Sequence, residues 1–132
     1  MGSTPYYQKV QILDVEIIQT LAGGAGFPEM EIFRELLGVF LAEKNKHVAG
    51  LQEAAEEPDR SRMNQLFHSM GGAAANLGLV RLASVCSYLE GITGEVEDED
   101  LPDLVRTLEE EYRISLVEVH RQYPILGLEE RL

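Results

Sequence analysis

His68 is followed one helical turn later by two adjacent glycines, Gly71 and Gly72, within the stretch NQLFHSMGGAAANLG at residues 64–78. The apolar residues around it recur at helical spacing, so the sequence predicts a helix over about residues 60–77. Each glycine in a helix interior costs roughly 1 kcal/mol relative to alanine. Two such residues beside one of only three histidines indicate that side chains are excluded there for a chemical or a packing reason.

Helical geometry places His68 on the face opposite the apolar stripe of this helix, so we expect its ring to point to solvent. The predicted stripe consists of Met63, Leu66, Met70, Ala73, Ala74 and Leu77. The residues predicted to share the outer face with His68 are Ser61, Asn64, Gln65, Gly71, Gly72 and Ala75.

A neutral imidazole that is exposed on a rigid helix is a good nucleophile near pH 7, and it can accept a phosphoryl group that approaches in line. Gly72 leaves space for that group or for an approaching partner. Asn64 and Gln65 lie one turn before His68 and can donate hydrogen bonds to phosphoryl oxygens. The alternative is an ordinary surface histidine, with the small residues serving close helix packing.

The rest of the chain predicts an all-α fold, because apolar residues recur at helical spacing and no strand alternation or hairpin turn is present. We expect a short N-terminal helix followed by four amphipathic helices. Their predicted ranges are 12–22, 28–56, 60–77, 79–91 and 101–122. With short connections, the natural packing is an antiparallel up-down four-helix bundle with the short helix packed on one end.

This plan assigns the bundle to residues 12–123 and tails to residues 1–11 and 124–132, the second of them loose. Cys86 falls on an apolar stripe, so we expect it to be buried and inert. No metal site is predicted, because the other histidines have no partner at a ligand spacing.

Composition excludes several classes of function. The chain has 23 acidic against 11 basic residues and a net charge of −12, which argues against nucleic acid and anionic membranes as partners. A single cysteine excludes an internal disulfide framework and fits a reducing compartment, so we expect a cytoplasmic protein. No signal peptide is recognisable, and no apolar run approaches the ~20 residues that span a bilayer.

The run from His68 to Glu90, HSMGGAAANLGLVRLASVCSYLE, resembles the histidine-containing phosphotransfer (HPt) family. That family has a glycine four positions after the histidine, matched by Gly72, and a second glycine that Gly78 matches. A helix ending in a pattern like Leu-x-x-x-Cys-x-x-Leu-Glu then follows. With the helices before it, the resemblance covers roughly residues 12–120.

The resemblance implies a four-helix bundle whose histidine accepts a phosphoryl group from the aspartate of one receiver domain and passes it to another. It implies that His68 is phosphorylated, that Gly72 permits receiver approach and that Gly78 is a structural glycine. Such proteins carry phosphoryl groups without kinase activity of their own. The implied partners are receivers of response regulators or hybrid histidine kinases, with Mg²⁺ held by the receiver and no cofactor on this chain. We expect a monomer.

One departure from the family is Gly71, because the family usually has a lysine three positions after the histidine. That lysine would offset the charge of the phosphoryl group, which is about −2. Lys44, Lys46 and Arg81 are the nearest substitutes that the sequence offers. Without a substitute, phospho-His68 passes its phosphoryl group on more readily, or the protein is a non-catalytic receiver-binding or scaffold module with weak transfer.

We also predict an apolar docking surface near His68, because the helix at 29–56 carries more apolar residues than one narrow seam needs. The residues assigned to docking are Ile17, Ile18, Phe33, Leu37 and Ser69. The alternative is that all the apolar members belong to the core.

Overall fold

The computed structural model describes residues 5–23 and 30–132, and every regular element within them is helical. The five α-helices are α1 (Val15–Leu21), α2 (Glu31–Glu56), α3 (Arg60–Asn76), α4 (Val80–Ile92) and α5 (Leu101–Gln122). Short 3₁₀ turns lie at Tyr6–Lys9, Asp98–Asp100, Pro124–Leu126 and Glu129–Arg131. The all-α prediction is confirmed. The predicted helix start at Pro28 lies outside the described residues.

Helices α2 to α5 form a ring in which each helix packs against its neighbour in sequence and α5 returns to α2. His68 faces Glu90 across α3 and α4, while Gly71 faces Cys86. Residue numbers therefore rise in opposite directions along these two helices. The connections 57–59 and 77–79 are too short for any other arrangement of packed neighbours.

The core follows the predicted stripes on α4 and α5. Every residue that the periodicity placed inward on these helices is buried: Leu82, Val85, Cys86 and Leu89 on α4, and Leu101, Leu104, Val105, Leu108, Tyr112, Leu116 and Val119 on α5. On α3 the buried stripe is rotated toward α4. Phe67, absent from the predicted stripe, is fully buried, whereas Ala73 is exposed and Leu66 is half-buried. The rotation arises because α4 covers one flank of α3 closely.

The segment after residue 123 is packed on α2, so the prediction of a loose tail is wrong. Leu126 and Leu128 are buried. Nη2 of Arg34 on α2 donates a hydrogen bond of 2.8 Å to the carbonyl oxygen of Ile125. Burial of these two apolar side chains stabilises the segment on the bundle.

The first turn of α3 is fixed by two neighbouring residues. The side chain of Asp59 accepts a hydrogen bond of 3.0 Å from the backbone N–H of Arg62, which caps the helix. Arg60 donates to the carbonyl oxygens of Thr93 and Val96 at 2.6 and 2.9 Å. The connection between α4 and α5 is thereby held against the start of α3.

Gly78 fixes the other end of α3. Its φ is +81°, a conformation that L side chains rarely adopt. A Cβ there would lie 3.0 Å from the carbonyl oxygen of Asp14 and 3.0 Å from Cγ1 of Ile18. The N–H of Asp14 donates to the Gly78 carbonyl oxygen at 2.8 Å, so this glycine lets the start of α1 dock on the turn between α3 and α4.

None of the helices among the described residues is long and apolar enough to cross a bilayer.

Candidate functional site

His68 projects from the middle of α3 with 80% of its side chain exposed, on the outer face that the helical spacing predicts. It borders an open polar groove between α3 and α4. The groove is lined by Ser61, Asn64, Gln65, His68, Ser69 and Glu90. This polar groove brings together the predicted residues Asn64, Gln65 and Ser69 with the histidine.

Glu90 of α4 is the charged residue that faces the histidine ring. Its Oε2 lies 3.5 Å from Nδ1 of His68, and its side chain is 38% exposed. Because Nδ1 is turned toward this carboxylate, Nε2 is the ring nitrogen on the side away from it. Sequence reasoning did not assign Glu90 to the site. In the sequence, Glu90 is marked only by its position at the end of the run that begins at His68. Its contact with His68 could not be predicted, because the two residues lie on different helices.

Gly72 and Ala75 lie on the exposed side of α3. No atom of the described residues lies within 4 Å of a Cβ built at Gly72, beyond its own local backbone. The space one turn after His68 is therefore clear, as predicted from the residue type. Asn64 is half-buried, and its Oδ1 is buried without a hydrogen-bond partner in the described structure.

Gly71 does not share that outer face, so its predicted placement is wrong. A Cβ at Gly71 would lie 3.0 Å from Cβ of Cys86 and 3.7 Å from the carbonyl oxygen of Ala83. The residue lies against α4, because the close approach of that helix covers this flank of α3. Any side chain at position 71 requires α3 and α4 to separate by a few tenths of an ångström.

The three cations suggested as substitutes for the missing lysine do not line the polar groove. Nζ of Lys44 lies 5.0 Å from the ring centroid of Tyr112. Lys46 lies 3.9 Å from a carboxylate oxygen of Glu43, and the half-buried Arg81 lies 3.2 Å from the buried carboxylate of Glu111. Each of them is engaged at another part of the bundle.

Three of the predicted docking residues belong to the core. Ile18 and Phe33 have no exposed surface and Leu37 is 2% exposed, so they present nothing to a partner. Ile17 is half-buried and Ser69 is exposed. The docking assignment is therefore wrong for Ile18, Phe33 and Leu37.

The exposed apolar residues of α2 form the stripe next to the buried one. Ile32, Leu36 and Val39 are 48%, 42% and 64% exposed. Leu36 and Val39 line an apolar groove with residues of α1 and α3. This apolar groove is formed by Leu21, Leu36, Val39, Phe40, Glu43, His47, Met70, Ala73, Asn76 and Leu77. It lies on the α2 side of α3, whereas the polar groove lies on the α4 side.

Cys86 is a buried thiol and a poor candidate for chemistry at this site. Burial, with a contribution from the Glu90 carboxylate, raises the pKa of its thiol to about 12. A thiol in that state is a poor nucleophile near neutral pH. No cluster of three or more His, Cys, Asp or Glu side chains able to hold a metal ion occurs in the described ranges.

Comparison with known proteins places these features in a family. The sequence profile of the Hpt domain matches residues 35–119, a range that contains His68, Gly72, Gly78 and Glu90. The fold resembles the crystal structure of histidine-containing phosphotransfer protein B (HptB) from Pseudomonas aeruginosa PAO1, with a TM-score of 0.69 and 23% sequence identity. The alignment covers 87% of this chain and 96% of that one. No curated protein matches the sequence.

Proposed function

This chain belongs to the Hpt domain family and is a histidine phosphotransfer protein of a phosphorelay, and we propose that His68 is the residue that carries the phosphoryl group. In this proposal His68 accepts the group from an aspartate of one receiver domain and passes it to an aspartate of another. The observation that carries the proposal is an 80% exposed imidazole beside the open space at Gly72.

The geometry favours Nε2 as the attacking atom. Nδ1 faces Glu90, whose negative charge favours a proton on that nitrogen and leaves the lone pair on Nε2. In the transfer, the bond between phosphorus and the aspartyl oxygen breaks as the bond between phosphorus and Nε2 forms. The aspartate regains its carboxylate, and Nδ1 keeps its proton throughout. The same steps in reverse deliver the group to the second receiver.

Receiver docking is proposed for the apolar groove and the exposed stripe of α2 beside it. Leu36 and Val39 provide exposed apolar area there, next to Ala73 and Asn76 of α3. We expect a receiver seated on α2 and α3 to bring its catalytic aspartate to His68, because Gly72 and Ala73 have no side chain large enough to block the approach. Exposed apolar area beside a reactive group is typical of a docking surface.

In this proposal the chain supplies the nucleophile and the docking surface, and the receiver supplies Mg²⁺ to the phosphoryl group.

The test is incubation of the purified protein with a ³²P-labelled receiver domain and Mg²⁺, followed by mapping of acid-labile, base-stable phosphate. Label is expected on His68, absent from His68→Gln and retained in His120→Gln, which alters a histidine on α5. Label that persists in His68→Gln contradicts the assignment. No label on the unmutated protein, with retained receiver binding, favours the alternative of a non-catalytic receiver-binding module.

A further inference from the structure

We propose that Glu43 of α2 determines which receiver domains this chain accepts, because it requires a lysine or arginine on the receiver face that covers the apolar groove. The same contact fixes the orientation in which the receiver approaches His68. This inference rests on the proposed docking of a receiver at the apolar groove.

Glu43 places a carboxylate in a surface that otherwise carries no acidic or basic side chain of the Asp, Glu, Lys or Arg type. Among the described residues that line the apolar groove, the others are apolar except for His47 and Asn76. The Glu43 side chain is 50% exposed, so it is solvated while the groove is open. A partner that covers the groove removes this carboxylate from water, which is costly unless the carboxylate is paired.

The cations of the surrounding helices do not provide that pairing inside the groove. Nζ of Lys46 lies 3.9 Å from Oε1 of Glu43, but Lys46 is 79% exposed and does not line the groove. An exposed pair at this distance contributes little. Arg34 donates to the carbonyl oxygen of Ile125, and Lys44 lies over the Tyr112 ring. Helix α1 has no lysine or arginine, and both arginines of α3 lie in its first turn.

The packing of α2 on α3 places Glu43 close to the approach to His68. The two helices are antiparallel, and a Cβ at Gly50 would lie 3.1 Å from Cδ1 of Leu66. Glu43 is seven residues before Gly50 and Ala73 is seven residues after Leu66, so the two lie at the same level of the bundle, and both line the groove.

Ala73 directly follows Gly72, the open position one turn after His68. A receiver cation bound to Glu43 is therefore about 7 Å along the axis of α3 from the level of the histidine. A charged contact at that distance, combined with apolar contacts along the rest of the groove, fixes how the receiver is rotated over α2 and α3.

The overall charge favours the same kind of partner. The chain has a net charge of −12, so a receiver with a basic docking face is attracted before contact. A receiver with an apolar or acidic residue opposite Glu43 leaves the carboxylate unpaired on docking. Discrimination then comes from the cost of the mismatch as well as from the matched pair.

The test measures binding of a receiver domain that labels His68, by isothermal titration calorimetry at pH 8. Histidine side chains gain their charge between about pH 5 and 8, so this pH limits any contribution from His47. Glu43→Gln is expected to raise the Kd about three- to tenfold at about 50 mM NaCl, and by less at about 500 mM NaCl, where screening is stronger.

Glu99→Gln is the matched control, because Glu99 is exposed in the 3₁₀ turn before α5 and the substitution changes the net charge equally. Its Kd should stay within about twofold of the parent value. Lys46→Gln removes the chain's own competitor for Glu43 and is expected to lower the Kd slightly. Opposite effects at the two members of one ion pair cannot arise from a general loss of folding.

A double-mutant cycle identifies the receiver cation. Each surface lysine and arginine of the receiver is replaced by glutamine, and binding to the parent and to Glu43→Gln is compared. One of these receiver variants should bind the parent more weakly, yet bind Glu43→Gln as well as the unmodified receiver does.

Two results would overturn the inference. One is a Glu43→Gln variant that binds the receiver as tightly as Glu99→Gln or more tightly. The other is additive effects for every basic residue of the receiver. A failure of the proposed phosphotransfer is distinct from both, because it appears as the absence of label on His68, whereas the Kd values are measured without transfer.

Discussion

Gly71 of α3 faces Cys86 of α4 so closely that a Cβ at position 71 would lie 3.0 Å from the Cβ of Cys86. The neighbouring Gly72 has no such contact, although it is the next residue on the same helix. The two adjacent glycines therefore have different structural roles. One lets α4 approach and brings Glu90 to His68, and the other keeps the space beside the nucleophile clear.

Alanine substitutions at the two glycines should change stability in opposite directions. Gly72→Ala removes a helix-weakening residue in open space and is expected to stabilise the protein by about 0.5–1 kcal/mol. Gly71→Ala gains the same propensity but overpacks the α3–α4 interface, which costs about 1–3 kcal/mol. Urea unfolding of the two variants should therefore separate them by about 1–3 kcal/mol. Equal free energies of unfolding would show that position 71 is not tightly packed.

The comparison of sequence with structure shows what helical periodicity can predict. It correctly assigned the inward residues of α4 and α5. Each of these helices has a single apolar stripe, and that stripe faces the core. It also placed His68 on the outer face. These predictions depend only on the helix that carries the residue.

Helical periodicity did not predict burial correctly where the packing of a neighbouring helix determines which side chains are covered. On α2 two apolar stripes lie side by side, and the sequence could not tell that Leu37 is covered while Leu36 is exposed. Gly71 was assigned to the outer face because glycine gives no sign of which flank α4 covers. Glu90 was missed as a site residue because its distance to His68 depends on how closely two helices pack.

A charge on the exposed stripe of α2 should weaken receiver binding without unfolding the protein. Val39 is 64% exposed and lines the apolar groove, so Val39→Glu is expected to raise the Kd for a receiver about tenfold. Val117→Glu is the matched control, because Val117 is 40% exposed on α5. Isothermal titration calorimetry measures both.

Leu37→Glu provides the contrast with the original docking assignment. Leu37 is buried, so an unpaired carboxylate there should unfold the bundle and remove its helical circular dichroism signal. If Val39→Glu and Val117→Glu bind the receiver equally well, the apolar groove is not the docking surface.

The thiol of Cys86 should make stability fall at alkaline pH. Burial raises its pKa from the ordinary 9.0 to about 12, so the folded state favours the neutral thiol. The stabilisation is complete below pH 9 and is lost as the pH rises toward 12, because the unfolded thiol ionises first. Between pH 8 and about pH 10.5 the loss is about 2 kcal/mol.

Urea unfolding of the parent and of Cys86→Ala at both pH values isolates this contribution. Tyrosines and lysines titrate in the same range, but their effect is common to the two proteins. The parent should lose more stability than Cys86→Ala over this interval. Parallel losses would mean that the folded thiol ionises as readily as the unfolded one.

A large side chain at position 72 should obstruct the receiver but not the histidine itself. No described atom lies within 4 Å of a Cβ at Gly72, so Gly72→Leu is accommodated in α3 and is expected to fold. Transfer from a phosphorylated receiver should fall about tenfold or more, because misplacement of the reacting groups by an ångström has costs of this order. Phosphoramidate is small, so chemical phosphorylation of His68 should stay near the parent rate. Rapid-quench measurement of both rates tests the prediction, and Gly72→Ala serves as the control with a minimal side chain. Equal losses from both donors would place the obstruction at the imidazole, and undiminished receiver transfer would mean that the partner approaches from the α4 side.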